Sequence, residues 1–287
     1  MKAVIPVAGF GTRFLPATKT QPKEMLPIVD TPIIQYVVEE VVESGVKDVI
    51  FITTRYKRSL EDYFDSHFEL EATLKERGKS KALDELQRIV KLARFAFVRQ
   101  HAPLGNGDAL LAAWHLFRNE PVLVAFGDDI FVGKDLVSRR LIELYNRVHA
   151  PVCVVKKVPK NRVSSYGIVR AKKIGPQTYQ ILDVVEKPSV SKAPSQMAIF
   201  GRYVLTPDIM ACLQKLHPPA RGKELGLTDG LRMHLKNGGT LYAYEVPAES
   251  HFDCGSKLDY LKATVSFGLK HKDLRHEFRS YLRSLEL

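Results

Sequence analysis

Short apolar runs alternate with amphipathic stretches along this chain, and that alternation predicts βαβ units on a mainly parallel sheet. Residues 3–8 read as a first buried strand, although Pro6 removes one ladder donor and disfavours a fully bonded central position. Residues 33–44 repeat apolar side chains at helical spacing between Pro32 and Gly45, which predicts a helix. Strands are expected over 49–53, 95–99, 122–126 and 152–155, with helices over 108–116 and 136–148. Ser59 and Asp62 have the spacing of a capping box for a helix over 59–64. Two polar helices follow, over 67–77 and 81–91, hinged at Gly78. Beyond residue 155 the expected strands shorten (168–171, 180–185, 197–205, 241–246) and helices fall at 207–216, 228–237, 257–270 and 274–285. The pattern predicts an α/β fold. A mainly parallel mixed sheet flanked by helices occupies residues 1–150, a smaller β-rich lobe 151–256, and closing helices 257–287 are available as an oligomer interface.

Composition narrows the class. At 287 residues and 45% hydrophobic content the chain has ample material for a large core. Its 43 Lys and Arg against 32 Asp and Glu give a net charge of +11, which implies an anionic partner: nucleic acid, a membrane surface or a phosphorylated small molecule. Ten of the bases and one acid, Glu143, fall within residues 139–173, so the excess is local. No helix-turn-helix, zinc-finger or aromatic RNA-binding pattern accompanies it, and a nucleic-acid reader lacks its reading element. Cys153, Cys212 and Cys254 include no C-x-x-C, which argues against both a disulfide framework and a zinc ribbon. No apolar run reaches the roughly 18 residues of a membrane helix. The N-terminal stretch is broken by Pro6 and Gly9 and does not read as a signal peptide, so the cytoplasm is the expected compartment.

Candidate chemistry begins with Gly9-Phe10-Gly11-Thr12-Arg13, directly after the first strand, where open parallel sheets bind ligands. Glycines let backbone N–H groups approach phosphate oxygens, and Arg13 offers a planar fork of donors. The dinucleotide fingerprint is absent, because Phe14 stands where its third glycine belongs, and Lys19-Thr20 lacks the glycine of a Walker motif. Lys19 and Lys23 follow within a dozen residues and complete a three-cation clamp suited to a polyphosphate, so residues 1–150 read as a Rossmann-like nucleotide-binding half. Gly127-Asp128-Asp129 ends an apolar strand on the same side, and one or two carboxylates with phosphate oxygens suit Mg²⁺. Glu186-Lys187 after Tyr166-Gly167 pairs a hydroxyl acceptor with an ammonium, as a sugar phosphate requires. His251 and Cys254 could suggest zinc, yet no further Cys or His completes a ligand set.

The string from Ala3 to Tyr36, with P-A-T-K-x-x-P-K-E-M-L-P at its centre, resembles the N-terminal signature of the bacterial UTP–glucose-1-phosphate uridylyltransferases, within the sugar-1-phosphate nucleotidylyltransferases. The resemblance runs nearly to the end of the chain. It implies the nucleotide-diphospho-sugar transferase fold, UTP and glucose 1-phosphate as substrates, and a homodimer or homotetramer. It implies that Gln100, Gly105 and the Ala8-Gly9 backbone hold uracil, that Gly9, Gly11, Thr12, Arg13, Lys19 and Lys23 meet the phosphates, and that Asp128 and Asp253 hold Mg²⁺. Gly167 and Glu186 would bind glucose hydroxyls and Lys187 the sugar phosphate. Asp108 stands where some relatives have histidine and receives no role, and Asp129 is the weaker metal candidate. The chain departs from the family in Phe126-Gly127-Asp128-Asp129, where L-P-D-D is usual, and in Gly226, which replaces a more usual glutamine.

The implied reaction is in-line attack of glucose 1-phosphate on the α-phosphorus of UTP, giving UDP-glucose and pyrophosphate by positioning and charge neutralisation. Three rivals stand beside it. Transfer from dTTP, CTP or ATP would change only the base pocket. A glycosyltransferase using a nucleotide sugar would not need the Arg13, Lys19 and Lys23 clamp. A nucleic-acid-binding or regulatory protein is favoured only by the net charge of +11.

Overall fold

A computed structural model describes residues 1–219 and 222–285. Residues 286–287, the end of the expected closing segment, lie outside the described residues. A nine-stranded sheet runs through the molecule in the order Arg94–Arg99, Asp48–Thr53, Lys2–Pro6, Val122–Ala125, Met197–Leu205, Val152–Lys157, Leu241–Glu245, Thr178–Glu186 and Gly167–Gly175. The first four strands are mutually parallel, Met197–Leu205 runs against its neighbours, and Val152–Lys157 and Leu241–Glu245 pair in parallel again. The mainly parallel mixed sheet flanked by helices is therefore as the sequence predicts. Strands from the second half of the chain extend the same sheet, because Met197–Leu205 inserts between Val122–Ala125 and Val152–Lys157.

The side-chain period of two distributes the core. Ala3, Ile5, Val49 and Phe51 point to one face, where they meet Val37, Val41 and Leu141 from helices Ile33–Glu43 and Val137–Val148. Val4, Ile50 and Ile52 point to the other, against Leu110, Leu213 and Leu231 from helices Asn106–Ala113, Pro207–Leu216 and Leu227–Lys236. Both faces are covered, which is why the central strands read as unbroken apolar runs.

Lys2–Pro6 is central despite its proline. Val7 N–H donates to Ile52 O, so the donor missing at Pro6 falls on the opposite edge, past the last registered pair with the Val122–Ala125 strand, Val4 with Val124. Ser59 makes no capping box: the helix starts one residue earlier, at Arg58, with no side-chain cap. The 167–175 and 178–186 strands are longer than expected because they form a twisted hairpin whose polar outer residues obscure the alternation. A ribbon absent from the sequence reading, Asp129–Phe131 antiparallel to His251–Asp253, pairs Asp129 with Asp253. No helix among the described residues is long and apolar enough to cross a membrane.

Candidate active site

A cleft of about 720 Å³ opens beyond the carboxyl ends of the parallel strands. The loop after the first strand forms its floor. Gly11 takes φ +66°, a left-handed conformation that a side chain would strain, and its carbonyl accepts from Thr18 Oγ1 at 2.8 Å. A Cβ on Gly11 would meet Lys23 Cβ at 3.2 Å, so the glycine lets the loop fold back onto the Lys23 segment. Beneath it the buried pair of Glu24 and Lys57 Nζ, 2.7 Å apart, ties the Pro22–Pro27 stretch to the chain after the second parallel strand. Glu24 thus serves as an anchor for the loop that carries Lys23.

Lys23 Nζ donates to Asp128 Oδ2. Burial works against its charge, but Asp128 and Glu24 win, and Lys23 is held protonated well above the ordinary lysine range. Burial likewise pushes the Asp128 carboxyl up, yet Lys23 and Arg13 outweigh it and keep Asp128 ionised. Asp253 lacks such a partner. Burial, with the charges of Asp129 and Asp128, pushes its carboxyl up to about 7. Gly255 separates these groups: a Cβ there would lie 2.5 Å from Asp128 Oδ2, 2.9 Å from an Arg13 guanidinium nitrogen and 3.0 Å from Asp253 Oδ1. Two carboxylates thus face one small gap that a single methyl would fill, with Arg13 at its rim.

Asp129 turns away from that gap. Its Oδ2 accepts from Gly201 N–H at 3.0 Å and its Oδ1 from buried His251 Nε2, while Lys156 Nζ lies 3.0 Å from His251 Nδ1. The lysine donates to Nδ1, so His251 is the neutral tautomer with its proton toward Asp129, and burial lowers its pKa. Asp129 and His251 are braces of the short ribbon. Among the described residues no group of three or more His, Cys, Asp or Glu is gathered as a metal-ligand cluster, and Cys254 is a buried free thiol. A pair of hard carboxylate oxygens open to this cleft fits Mg²⁺, which keeps most of its coordination for water and phosphate.

At the opposite wall, Gln100 follows the edge strand and Gly105 opens helix Asn106–Ala113 with φ +105°. A Cβ on Gly105 would stand 2.4 Å from Leu225 O, and Leu225 N–H in turn donates to Leu104 O at 2.6 Å. Gln100 Nε2 donates to Gly105 O at 3.0 Å and to Asp108 Oδ2 at 2.6 Å. The third wall carries Gly167, whose Cβ would meet Thr228 Cγ2 at 2.9 Å and Glu186 Oε2 at 3.2 Å. Lys187 adopts φ +43°, and its Nζ lies 3.7 Å from Glu186 Oε1.

All the expected site residues but one line this single cleft: Ala8, Gly9, Gly11, Thr12, Arg13, Lys23, Gln100, Gly105, Asp128, Gly167, Glu186, Lys187 and Asp253. Lys19 does not; it is exposed at the end of the Ala17–Lys19 turn and is not among the lining residues. Sequence reasoning also missed Arg162, which lines the cleft and donates to Tyr166 Oη at 2.7 Å, and Tyr166 Oη itself, 3.4 Å from Asp253 Oδ2. Arg162 lay hidden inside the basic 139–173 stretch, with nothing local to set it apart.

The chain belongs to the nucleotidyl transferase family, whose model matches residues 2–268. It is 45% identical to the UTP–glucose-1-phosphate uridylyltransferase YngB of Bacillus subtilis over 99% of this chain and 95% of that protein. A UTP-bound UGPase from Acinetobacter baumannii superimposes with a TM-score of 0.90 at 41% identity, covering 99% of both chains. A UDP-glucose pyrophosphorylase complexed with UDP-glucose does so with a TM-score of 0.85 at 39% identity, covering 94% of this chain and 99% of the other.

Proposed function

We propose that the protein transfers UMP from UTP to glucose 1-phosphate, releasing UDP-glucose and pyrophosphate. The observation that carries this reading is one cleft lined by a phosphate-seeking loop, two facing carboxylates and a sugar-facing wall, in a chain 39–45% identical to curated proteins of that activity along nearly its whole length. A phosphate oxygen of glucose 1-phosphate attacks the α-phosphorus in line; the new O–P bond forms as the bond to pyrophosphate breaks. The nucleophile is already an anion, so no proton has to move. Catalysis then rests on positioning and on charge placed where it develops.

Arg13 and Lys23 neutralise the nucleotide phosphates and the departing pyrophosphate, and the Gly9–Thr12 backbone donates to them. Gln100 and Gly105, with the Ala8-Gly9 backbone, hold uracil. Gly167 and Glu186 receive glucose hydroxyls, and Lys187 holds the attacking phosphate. Lys19, exposed and outside the lining, serves as a supporting cation. Asp128 and Asp253 would hold Mg²⁺, which when bound would supply positive charge to offset that of the phosphates. The reading extends to a homo-oligomer built on helix Lys257–Gly268, where Leu258, Leu261 and Val265 are exposed along one helical stripe; light scattering measures the assembly directly.

A matrix of four nucleoside triphosphates against several sugar 1-phosphates, assayed for pyrophosphate release, tests the activity. UTP with glucose 1-phosphate is expected to turn over fastest, to stop on chelation of divalent cations and to return with Mg²⁺. An inert UTP and glucose 1-phosphate pair beside another active one would refute the assignment.

A further inference from the structure

Asp108 takes no part in the phosphate chemistry, yet it touches the side chain that faces the base. Gln100 has one amide nitrogen with two hydrogens, and both are spoken for: one points to Gly105 O at 3.0 Å, the other to Asp108 Oδ2 at 2.6 Å. Turning the amide over would set Oε1 against a backbone carbonyl and a carboxylate, neither of which can donate. Asp108 cannot swing away freely either. Its other oxygen, Oδ1, lies 3.0 Å from His217 Nε2, beyond the end of helix Pro207–Leu216, and its backbone is fixed in the first turn of helix Asn106–Ala113. Gln100 is nearly buried and lines the cleft, so the polar atom it has left for a ligand is the acceptor Oε1.

We propose that Asp108, braced by His217, is a specificity-determining positioning residue: it holds the Gln100 amide with its oxygen toward the base and so selects a pyrimidine that carries a hydrogen on N3. Uracil has that N3–H. Cytosine has a lone pair on N3, which would face the Gln100 oxygen with no hydrogen between them, and a buried acceptor left unpaired is costly. An unlocked glutamine could rotate and offer its NH₂ to cytosine instead. The inference rests on the uridylyl-transfer reading and adds what enforces the choice of base.

The test compares kcat/KM for UTP and CTP, each with glucose 1-phosphate and Mg²⁺, in the wild type, Asp108→Ala and Asp108→Asn. Removing a charge-assisted bond to Gln100 is expected to cut the UTP:CTP ratio about tenfold in Asp108→Ala, mainly through KM for UTP. Asp108→Asn keeps an oxygen able to accept from Gln100 and retains most of the wild-type ratio. A merely structural role would depress both nucleotides alike, and that outcome, or an unchanged ratio in Asp108→Ala, overturns the proposal. Should Asp108→Ala fail to fold, Asp108→Ser, whose hydroxyl is too short to reach Gln100, reads the same ratio with the same two outcomes. A wild type that prefers CTP would defeat the uridylyl-transfer reading itself; a wild type that prefers UTP with an insensitive Asp108→Ala defeats this inference alone.

Discussion

Gly255 leaves the gap into which Asp128 and Asp253 both face, and a methyl there would sit 2.5 Å from Asp128 Oδ2, well inside van der Waals contact. Gly255→Ala is therefore expected to lower kcat/KM by about a hundredfold or more, comparable to losing a charge-stabilising donor, while circular dichroism and melting stay near wild type. Activity within a few-fold of wild type would mean the gap is not where the phosphates and cation meet. Asp253 makes a second prediction, about the metal-free protein. Its carboxyl, raised from 3.8 to about 7, binds a proton more tightly folded than unfolded. That contribution is fully present below about pH 4 and is lost as pH rises through 7, where the charge must form in a buried place beside Asp129 and Asp128. Asp253→Asn is thus expected to be more stable than wild type by roughly 1–2 kcal/mol at pH 8 in chelator, the cost of burial and of the like charges being partly offset by water in the open cleft. The same substitution should abolish Mg²⁺-dependent turnover. Equal melting temperatures of the two proteins at pH 5 and pH 8 alike would show that burying the Asp253 charge beside Asp129 and Asp128 costs nothing.

At the scale of elements, what the sequence makes legible follows its periodicities. Helix Pro207–Leu216 and strand Met197–Leu205 fall where expected to the residue, because Pro marks the helix start and apolar runs flank Gly201-Arg202 on both sides. The glycine-opened loop and the Asp128 turn were legible for a related reason: both sit where a strand stops. The ribbon that sets Asp253 beside Asp128 was not, since its three-residue strands are too short to show a period and lie more than a hundred residues apart. Gln100 was legible as a candidate base contact, but its hydrogen bonds to Gly105 and Asp108 were not, because Asp108 carries no local sign of its partner. Buried polar hubs are equally silent. Arg202, fully buried, donates to Glu40 Oε2 at 3.1 Å and to Phe126 O and Gly201 O, while Glu40 also accepts from Ser138 N–H and Oγ at the start of helix Val137–Val148. This hub joins two helices to the turn that presents Asp128. Glu40→Ala strands a buried guanidinium and should cost about 3–5 kcal/mol in denaturant unfolding. A loss below about 1 kcal/mol would show that the hub is dispensable.

Over the whole molecule the net charge of +11 invites an explanation by long-range attraction, and the structure divides that charge instead. Within residues 139–173, Arg140 is spent on Asp135 and Glu143, Arg139 on Glu43 O, Lys156 on His251 and Arg162 on Tyr166 and Asp259. Arg170, Lys172 and Lys173 lie along strand Gly167–Gly175 at the sheet edge, outside the cleft lining. Charges more than about 8 Å from a ligand are largely screened at physiological ionic strength, so the edge bases have little hold on a substrate in the cleft. Arg13 and Lys23, by contrast, line the cleft itself, and the Lys23 side chain is largely buried. Raising salt from 50 to 300 mM at fixed free Mg²⁺ should therefore increase KM for UTP several-fold through the mouth of the cleft and leave kcat within about twofold. Replacing Arg170, Lys172 and Lys173 together by glutamine should leave both the KM and its salt slope unchanged, whereas Arg13→Gln should flatten the slope as it raises KM. If the triple variant flattens the slope instead, the edge strand steers the substrates and the phosphate loop is only their destination.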